Sequence, residues 1–279
     1  MKRLGIRSIG LPLFVAAAIA ALVPLGCGGS GSSDGAAGRG TLKVFMADAP
    51  DPDVLAVEVD ISRVEAHIDG TWEVLSTTPQ TLDLFDVKFT EQLIAQAGLP
   101  AGDYTQIRFI VDECRVTDST GTYVANIPSG SQTGIKVNLN FTVPPNDIVG
   151  VLLDFNVHRS LRRLGNGNYQ LRPVVAGAVI TLSGTITGVA TDGTNPLARV
   201  VVRAIYKAGP HYPIDTEVNS TTSVVDGRFK IWALMPGTYQ LQLSWTDPLD
   251  PLIVRSAIVD NVVVTANANT DVGAVALVP

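Results

Sequence analysis

The residues whose types and spacing could do chemistry are few, and most are oxygen donors. The three histidines are His67, His158 and His211, in the contexts HIDG, HRSL and HYPI. Zinc hydrolysis needs histidine and carboxylate ligands at workable spacing and an open coordination position. None of the three shows His-x-x-Glu or His-Glu-x-x-His spacing, so that chemistry is not expected. There is no Gly-x-Ser-x-Gly elbow and no Gly-Lys-Ser/Thr phosphate loop. Asp48, Asp51 and Asp53 crowd a proline-containing segment. Oxygen-rich loops can hold calcium, but no full EF-type loop is present. Asp and Pro also build simple turns, and that reading is favoured. Asp154, Asn156 and His158 alternate along one strand and form a speculative ligand face. If the strand carrying Lys136, Asn138 and Asn140 lay beside it, the face could take a sugar or a peptide. The plainer expectation is a solvated sheet face, with Asp154 and Arg159 paired. Trp72, Trp232 and Trp245 are candidates for a carbohydrate platform. Trp245 continues a buried stripe, whereas Trp72 follows a hairpin-like bend and is the exposed candidate. No catalytic residue, metal ligand or cofactor is expected.

The elements that must position these groups are strands. Val57, Val59 and Ile61 alternate with Glu58 and Asp60. Ile107, Phe109 and Val111 alternate with Arg108 and Asp112, and Ile135, Val137, Leu139 and Phe141 with Lys136, Asn138 and Asn140. Val151, Leu153, Phe155 and Val157 share a face opposite Leu152, Asp154, Asn156 and His158. Period-two patterning buries one side of a sheet and wets the other. Short strands separated by Gly, Pro, Asn and Asp predict antiparallel sandwiches. One short helix is expected, with Thr90 capping EQLIAQA and Gly98 and Pro100 ending it. LGNGNYQLRP, residues 164–173, reads as a hairpin turn feeding a strand. A fresh unit opens near Leu182–Ser183, and about seven strands follow it. The expected fold is all-β, with two tandem antiparallel β-sandwich domains at 41–182 and 183–279.

The N-terminus sets the expected compartment. Lys2, Arg3 and Arg7 precede an apolar run from Ile9 to Leu25, which predicts a secretory signal over residues 1–26. The run is shorter than the ~20 residues of a spanning helix and contains Pro12 and Pro24. Pro24-Leu25-Gly26-Cys27 resembles the bacterial lipobox; Gly26-Cys27 fits it, while Pro24 and Leu25 depart from the commoner residues. The resemblance implies acylation of Cys27, and Gly28 in place of aspartate implies the outer membrane or cell surface. The only other cysteine, Cys114, is expected to be a small buried or half-buried residue and not a nucleophile. Residues 28–40, GGSGSSDGAAGRG, read as a flexible tether. The formal charge of −6 becomes −9 once the three basic residues of 1–26 are removed. With no basic cluster, nucleic acid is not an expected partner.

Two stretches resemble known families. SGTITG (183–188), PLARVVV (196–202) and DGRFKIWALMPGTYQLQL (226–243) are similar to carboxypeptidase regulatory-like modules. Those have a transthyretin-like, carbohydrate-binding-like sandwich fold and carry no active site of their own. MADAP (46–50), VEVDISRVEAH (57–67), LPAGDYTQIRF (99–109), GIKVNLNFTVP (134–144), LDFNVHRSL (153–161) and YQLRPVV (169–175) resemble the exported domain-of-unknown-function family 4382. That resemblance implies an all-β domain, often in lipoproteins, and no assigned activity. The expectation is a non-catalytic, lipid-anchored envelope protein with a binding or scaffolding role. A carbohydrate-binding surface module and a hydrolase with a dispersed site are the alternatives. The expected partners are the membrane, through the lipid, and a surface glycan or envelope protein.

Overall fold

The computed structural model describes residues 38–49, 51, 53–128 and 133–279. The expected signal peptide, Cys27 and the tether up to residue 37 lie outside the described residues. Arg39 and Gly40, expected in the tether, instead open the first strand. Among the described residues, no helix is long and apolar enough to cross a membrane.

The first sandwich follows from alternation. One sheet is centred on β2 (Ala56–Ile68) and the long β6 (Gly102–Asp118), which pair antiparallel. β2 buries Val57, Val59, Ile61, Val64, Ala66 and Ile68. Its parity changes after Ile61 because register shifts flank that residue; an extra residue in one strand has this effect. β3 (Thr71–Ser76) and β4 (Gln80–Asp83) pair with β2, and β7 (Gly121–Val124) and β8 (Ile135–Val143) with β6.

The facing sheet runs β12 (Val175–Val179), β9 (Ile148–Asn156), β1 (Arg39–Ala49), β5 (Gln92–Pro100). β1 and β9 are parallel, a departure from the purely antiparallel expectation. β5 overturns the expected helix. Residues 92–100 pair with Arg39–Met46 and bury Ile94, Ala95 and Leu99. Sheet pairing at the flank of β1 outweighs the helix preference of EQLIAQA. The Thr90 hydroxyl does not cap a helix; it reaches the Asp86 carbonyl at 3.4 Å. An α-helical turn follows β9 at Val157–Ser160, capped by the Asn156 side chain. Val157 and His158 therefore leave the strand to which alternation assigned them. β10 (Leu161–Arg163) and β11 (Tyr169–Leu171) then form the hairpin around Asn166 and Gly167.

The second sandwich has seven strands. β16 (Arg228–Leu234), β13 (Gly184–Thr191) and β19 (Asn269–Ala276) form one sheet. β15 (Glu217–Thr222), β14 (Val201–Ala208), β17 (Gly237–Thr246) and β18 (Val254–Val264) form the other. β13 and β19 run parallel. The Asp226-Gly227 turn needs its glycine: φ is +76°, and a Cβ there would lie 2.5 Å from the Ala190 carbonyl. Phe229 and Tyr239 are buried in this core, and the Tyr239 hydroxyl donates to the Met235 carbonyl before the Pro236-Gly237 turn.

A third apolar cluster joins the two cores. Ala47, Leu152, Ala178, Trp232 and Ala233 are buried together, with Phe45, Ala176 and Ile180 against them. The outer faces of β1, β9 and β12 thus pack on the second sandwich. That is why β9 is buried on both faces from Val151 to Asn156, the pattern of a doubly covered strand.

Candidate functional site

The outer face of the β2–β6 sheet assembles groups that lie far apart in sequence. Cross-strand register sets two rows. His67 pairs with Trp72 on one side and Gln106 on the other, and Gln106 pairs with Asn138. Two residues along, Val74, Glu65, Arg108 and Lys136 stand opposite one another. Residues i and i+2 on a strand are ~7 Å apart on one face, so the rows run parallel across the strands.

The side chains interlock. The Gln106 amide donates to Asn138 Oδ1 at 2.8 Å, and His67 Nδ1 is 3.0 Å from Thr105 Oγ1. The Trp72 ring lies 4.9 Å from the His67 ring and 4.1 Å from the Arg108 guanidinium, with Lys136 Nζ at 5.8 Å. Cations are drawn to an indole face by its quadrupole. Glu65 fixes the arrangement from below. Only 4% of its side chain is exposed, although it points to the outer side of the sheet. Arg108 Nε donates to Glu65 Oε2 at 2.7 Å, Arg108 Nη2 lies 2.5 Å from the same oxygen, and Arg63 Nη1 lies 3.6 Å from Oε1. Two donors from one planar guanidinium define its orientation. Trp72 is half-buried, and Lys136, Asn138 and Asn140 are exposed.

The same face has a second charged network at its other end. Arg115 reaches Glu58 at 3.2 Å, Asp60 at 2.7 Å and Glu113 at 2.6 Å. These bonds hold the Asp60 carboxyl below its usual range and push the guanidinium further up.

The speculative face of Asp154, Asn156 and His158 is not a surface. Asp154 and Asn156 are buried, at 1% and 2% exposure, under β15 of the second sandwich. Asn156 Nδ2 donates to the Ser220 carbonyl at 2.6 Å. Asn219 Nδ2 donates to Asp154 Oδ2 at 2.6 Å and to the Trp232 carbonyl at 3.1 Å. The other rotation of alternating residues faced neither water nor ligand but a second sheet. Nor does β8 lie beside β9; it pairs with β6. His158 turns toward Asp51, its Nδ1 3.7 Å from Asp51 Oδ2. Arg159 pairs with Glu217 at 3.2 Å and not with Asp154.

This seam holds two enclosed carboxyls. Burial pushes the Asp154 pKa up to about 6, against the opposing bond from Asn219. Asp48 is raised well above the usual carboxylate range, first by burial and then by the neighbouring Asp154. Asp48 Oδ1 accepts from the Val157 amide at 3.3 Å. Asp48 Oδ2 and Asp154 Oδ1 have no hydrogen-bond partner among the described residues. Asp48, Asp51 and Asp53 do not converge. Asp51 accepts from the Asp53 amide, and the exposed Asp53 pairs with Arg199. Among the described residues, no three His, Cys, Asp or Glu side chains gather as for a metal ion.

The remaining candidates have structural roles. Trp232 is buried in the seam, with Lys230 Nζ 3.4 Å from its ring centroid. Trp245 donates to the Ala198 carbonyl at 2.8 Å at the edge of the second core. His211 is exposed, and its backbone amide donates to the Tyr206 hydroxyl. Burial pushes the Cys114 thiol up to about 12, so it stays protonated. His67, Gln106, Arg108 and Glu65 were not legible as partners of Trp72. Alternation marked Arg108 as outward, but only the strand registers bring the four together.

Comparison with known proteins gives one family. Residues 39–173 match the family described as Domain of unknown function (DUF4382). No curated protein matches the chain. Among solved structures, the chain is similar to the Bacillus anthracis TIE protein at 12% identity, with a TM-score of 0.22, over 85% of this chain and 33% of that one. A leucine-rich repeat protein from Bacteroides thetaiotaomicron gives 14% identity and a TM-score of 0.23, over 85% and 26%. BcpA, the major pilin subunit of Bacillus cereus, gives 10% identity and a TM-score of 0.24, over 84% and 69%. The chain thus spans about a third of the first of these proteins and about a quarter of the second.

Proposed function

We propose that this is a non-catalytic envelope protein, acylated at Cys27, whose first sandwich binds a partner through the outer face of the β2–β6 sheet. The observation that carries the reading is the fixed geometry around Trp72. An Arg108–Glu65 pair and the Trp72 indole against that guanidinium hold an open polar face in one arrangement before any ligand arrives. Preorganised polar and aromatic side chains on rigid strands lower the ordering cost of binding. The second sandwich serves as a stiff support. The seam cluster around Trp232 and the Asn156 and Asn219 bonds support that role. The Asp226-Gly227 turn, Phe229 and Tyr239 support its kinship with carboxypeptidase regulatory-like modules.

The anchor is tested in cells. Radiolabelled palmitate should enter the full-length protein, which should fractionate with membranes; both should be lost in Cys27→Ala. Label persisting in that variant would refute the acylation site.

A further inference from the structure

We propose that the Trp72 end of this sheet face binds an anionic polysaccharide, a chain of sugar rings bearing carboxylate or sulfate groups; this rests on the reading of that face as the binding surface.

Charge points to the class. Arg108 and Lys136 lie over the Trp72 ring, and Arg63 joins them through Glu65, the carboxylate that both arginines share. Lys136 is exposed and makes no ion pair among the described residues. The group carries a formal +2 on a chain whose net charge is −6. Asp103, beyond Gln106 at the same end of the face, accepts from the Thr142 hydroxyl. Glu58, Asp60 and Glu113 outnumber Arg115 at the opposite end. An anionic ligand is therefore drawn to the Trp72 end and repelled from the other.

Shape points to a polymer. The row Trp72, His67, Gln106, Asn138 crosses four adjacent strands, a span of about 14 Å at normal strand spacing. Amides suit sugar hydroxyls, and an indole face suits ring C–H groups. The cationic row of Arg108 and Lys136 lies alongside, ~7 Å along the strands. Arg108 is already oriented by Glu65, so its unused edge and the Lys136 ammonium meet anionic groups without further ordering.

The test uses the purified acylated protein in detergent and calorimetric titration at low salt. The probes are polygalacturonate, heparin, neutral dextran and poly-glutamate. Polygalacturonate or heparin should bind, and binding should weaken as salt screens it. Lys136→Glu should weaken that binding about tenfold. Lys207→Glu, the same charge change on the second sandwich, should leave it intact. Trp72→Ala should also weaken it. A net acidic protein has no bulk attraction for polyanions, so binding reports the local patch. Absence of binding to both acidic polysaccharides, or equal loss in Lys207→Glu, overturns the proposal. So does poly-glutamate binding that survives Trp72→Ala, which would mark an acidic-peptide surface. Dextran binding lost in Trp72→Ala overturns the anionic class while leaving the face as a binding surface. Palmitate labelling of the same variants reports the anchor independently.

Discussion

The outer β2–β6 face and the seam between the sandwiches both carry charged groups on sheet surfaces, yet they solve opposite problems. On the outer face Glu58, Asp60, Glu65 and Glu113 each meet a guanidinium, while Asp103 and Asp112 accept from hydroxyls. Arg115 and its three acids are roughly a quarter to two-fifths exposed. Such pairs contribute little stability but hold geometry. At the seam, Asp48 and Asp154 meet no cation among the described residues, only amide donors. Their burial is costly unless they keep a proton. A charged cluster on a sheet therefore says little until its covering is known: exposed, it is available to a ligand; covered, it sets how pH acts on an interface.

Three changes would break or sharpen this contrast. The largest effect is expected from Trp232→Ala, which empties the apolar centre of the seam. It should cost about 3–5 kcal/mol and split thermal unfolding into two transitions, one per sandwich. A single sharp calorimetric transition in the variant would show that the seam does not couple them through this residue.

Asp154→Asn comes next, with a sign set by linkage. The carboxyl ionises near 3.8 when unfolded and near about 6 when folded. A raised acid pKa means the folded state binds more protons, so stability falls as pH rises from about 4 through about 6. Asparagine removes that loss. The variant should be more stable than wild type by about 3 kcal/mol at pH 8 and no more stable at pH 4. Urea titrations at both pH values measure it, and any slope left in the variant belongs to Asp48, raised in the same direction. Equal stability gains at both pH values would contradict a proton-holding seam.

The smallest effect belongs to the outer face. Asp60→Asn removes one of three partners from Arg115 and should cost less than about 1 kcal/mol, vanishing in high salt. A loss as large as that of Trp232→Ala would erase the distinction between the two regions.

Much of the fold was legible before its geometry. Alternation at Val57–Ile61, Ile107–Val111 and Ile135–Phe141 marked real strands and their inner faces. The hairpin at 164–168 and the Asp226-Gly227 turn were written in their turn residues. EQLIAQA misled because its local preference was helical while β1 offered it a pairing partner. Asp154 and Asn156 misled because alternation reports only that two faces differ, not what covers the second.

By itself the sequence determined the all-β class, the inward residues of most strands, the buried thiol of Cys114 and the polar character of Lys136 and Asn138. These depend on period, residue type and turn chemistry, all local quantities. Only the tertiary structure decided that Trp72, His67, Arg108 and Lys136 share one face, because register is fixed by distant pairings and bulges. It alone decided, too, that Asp154 lies under a second sandwich. Which of two sheet faces meets water depends on what the rest of the chain packs against it, and no strand carries that information in its own residues.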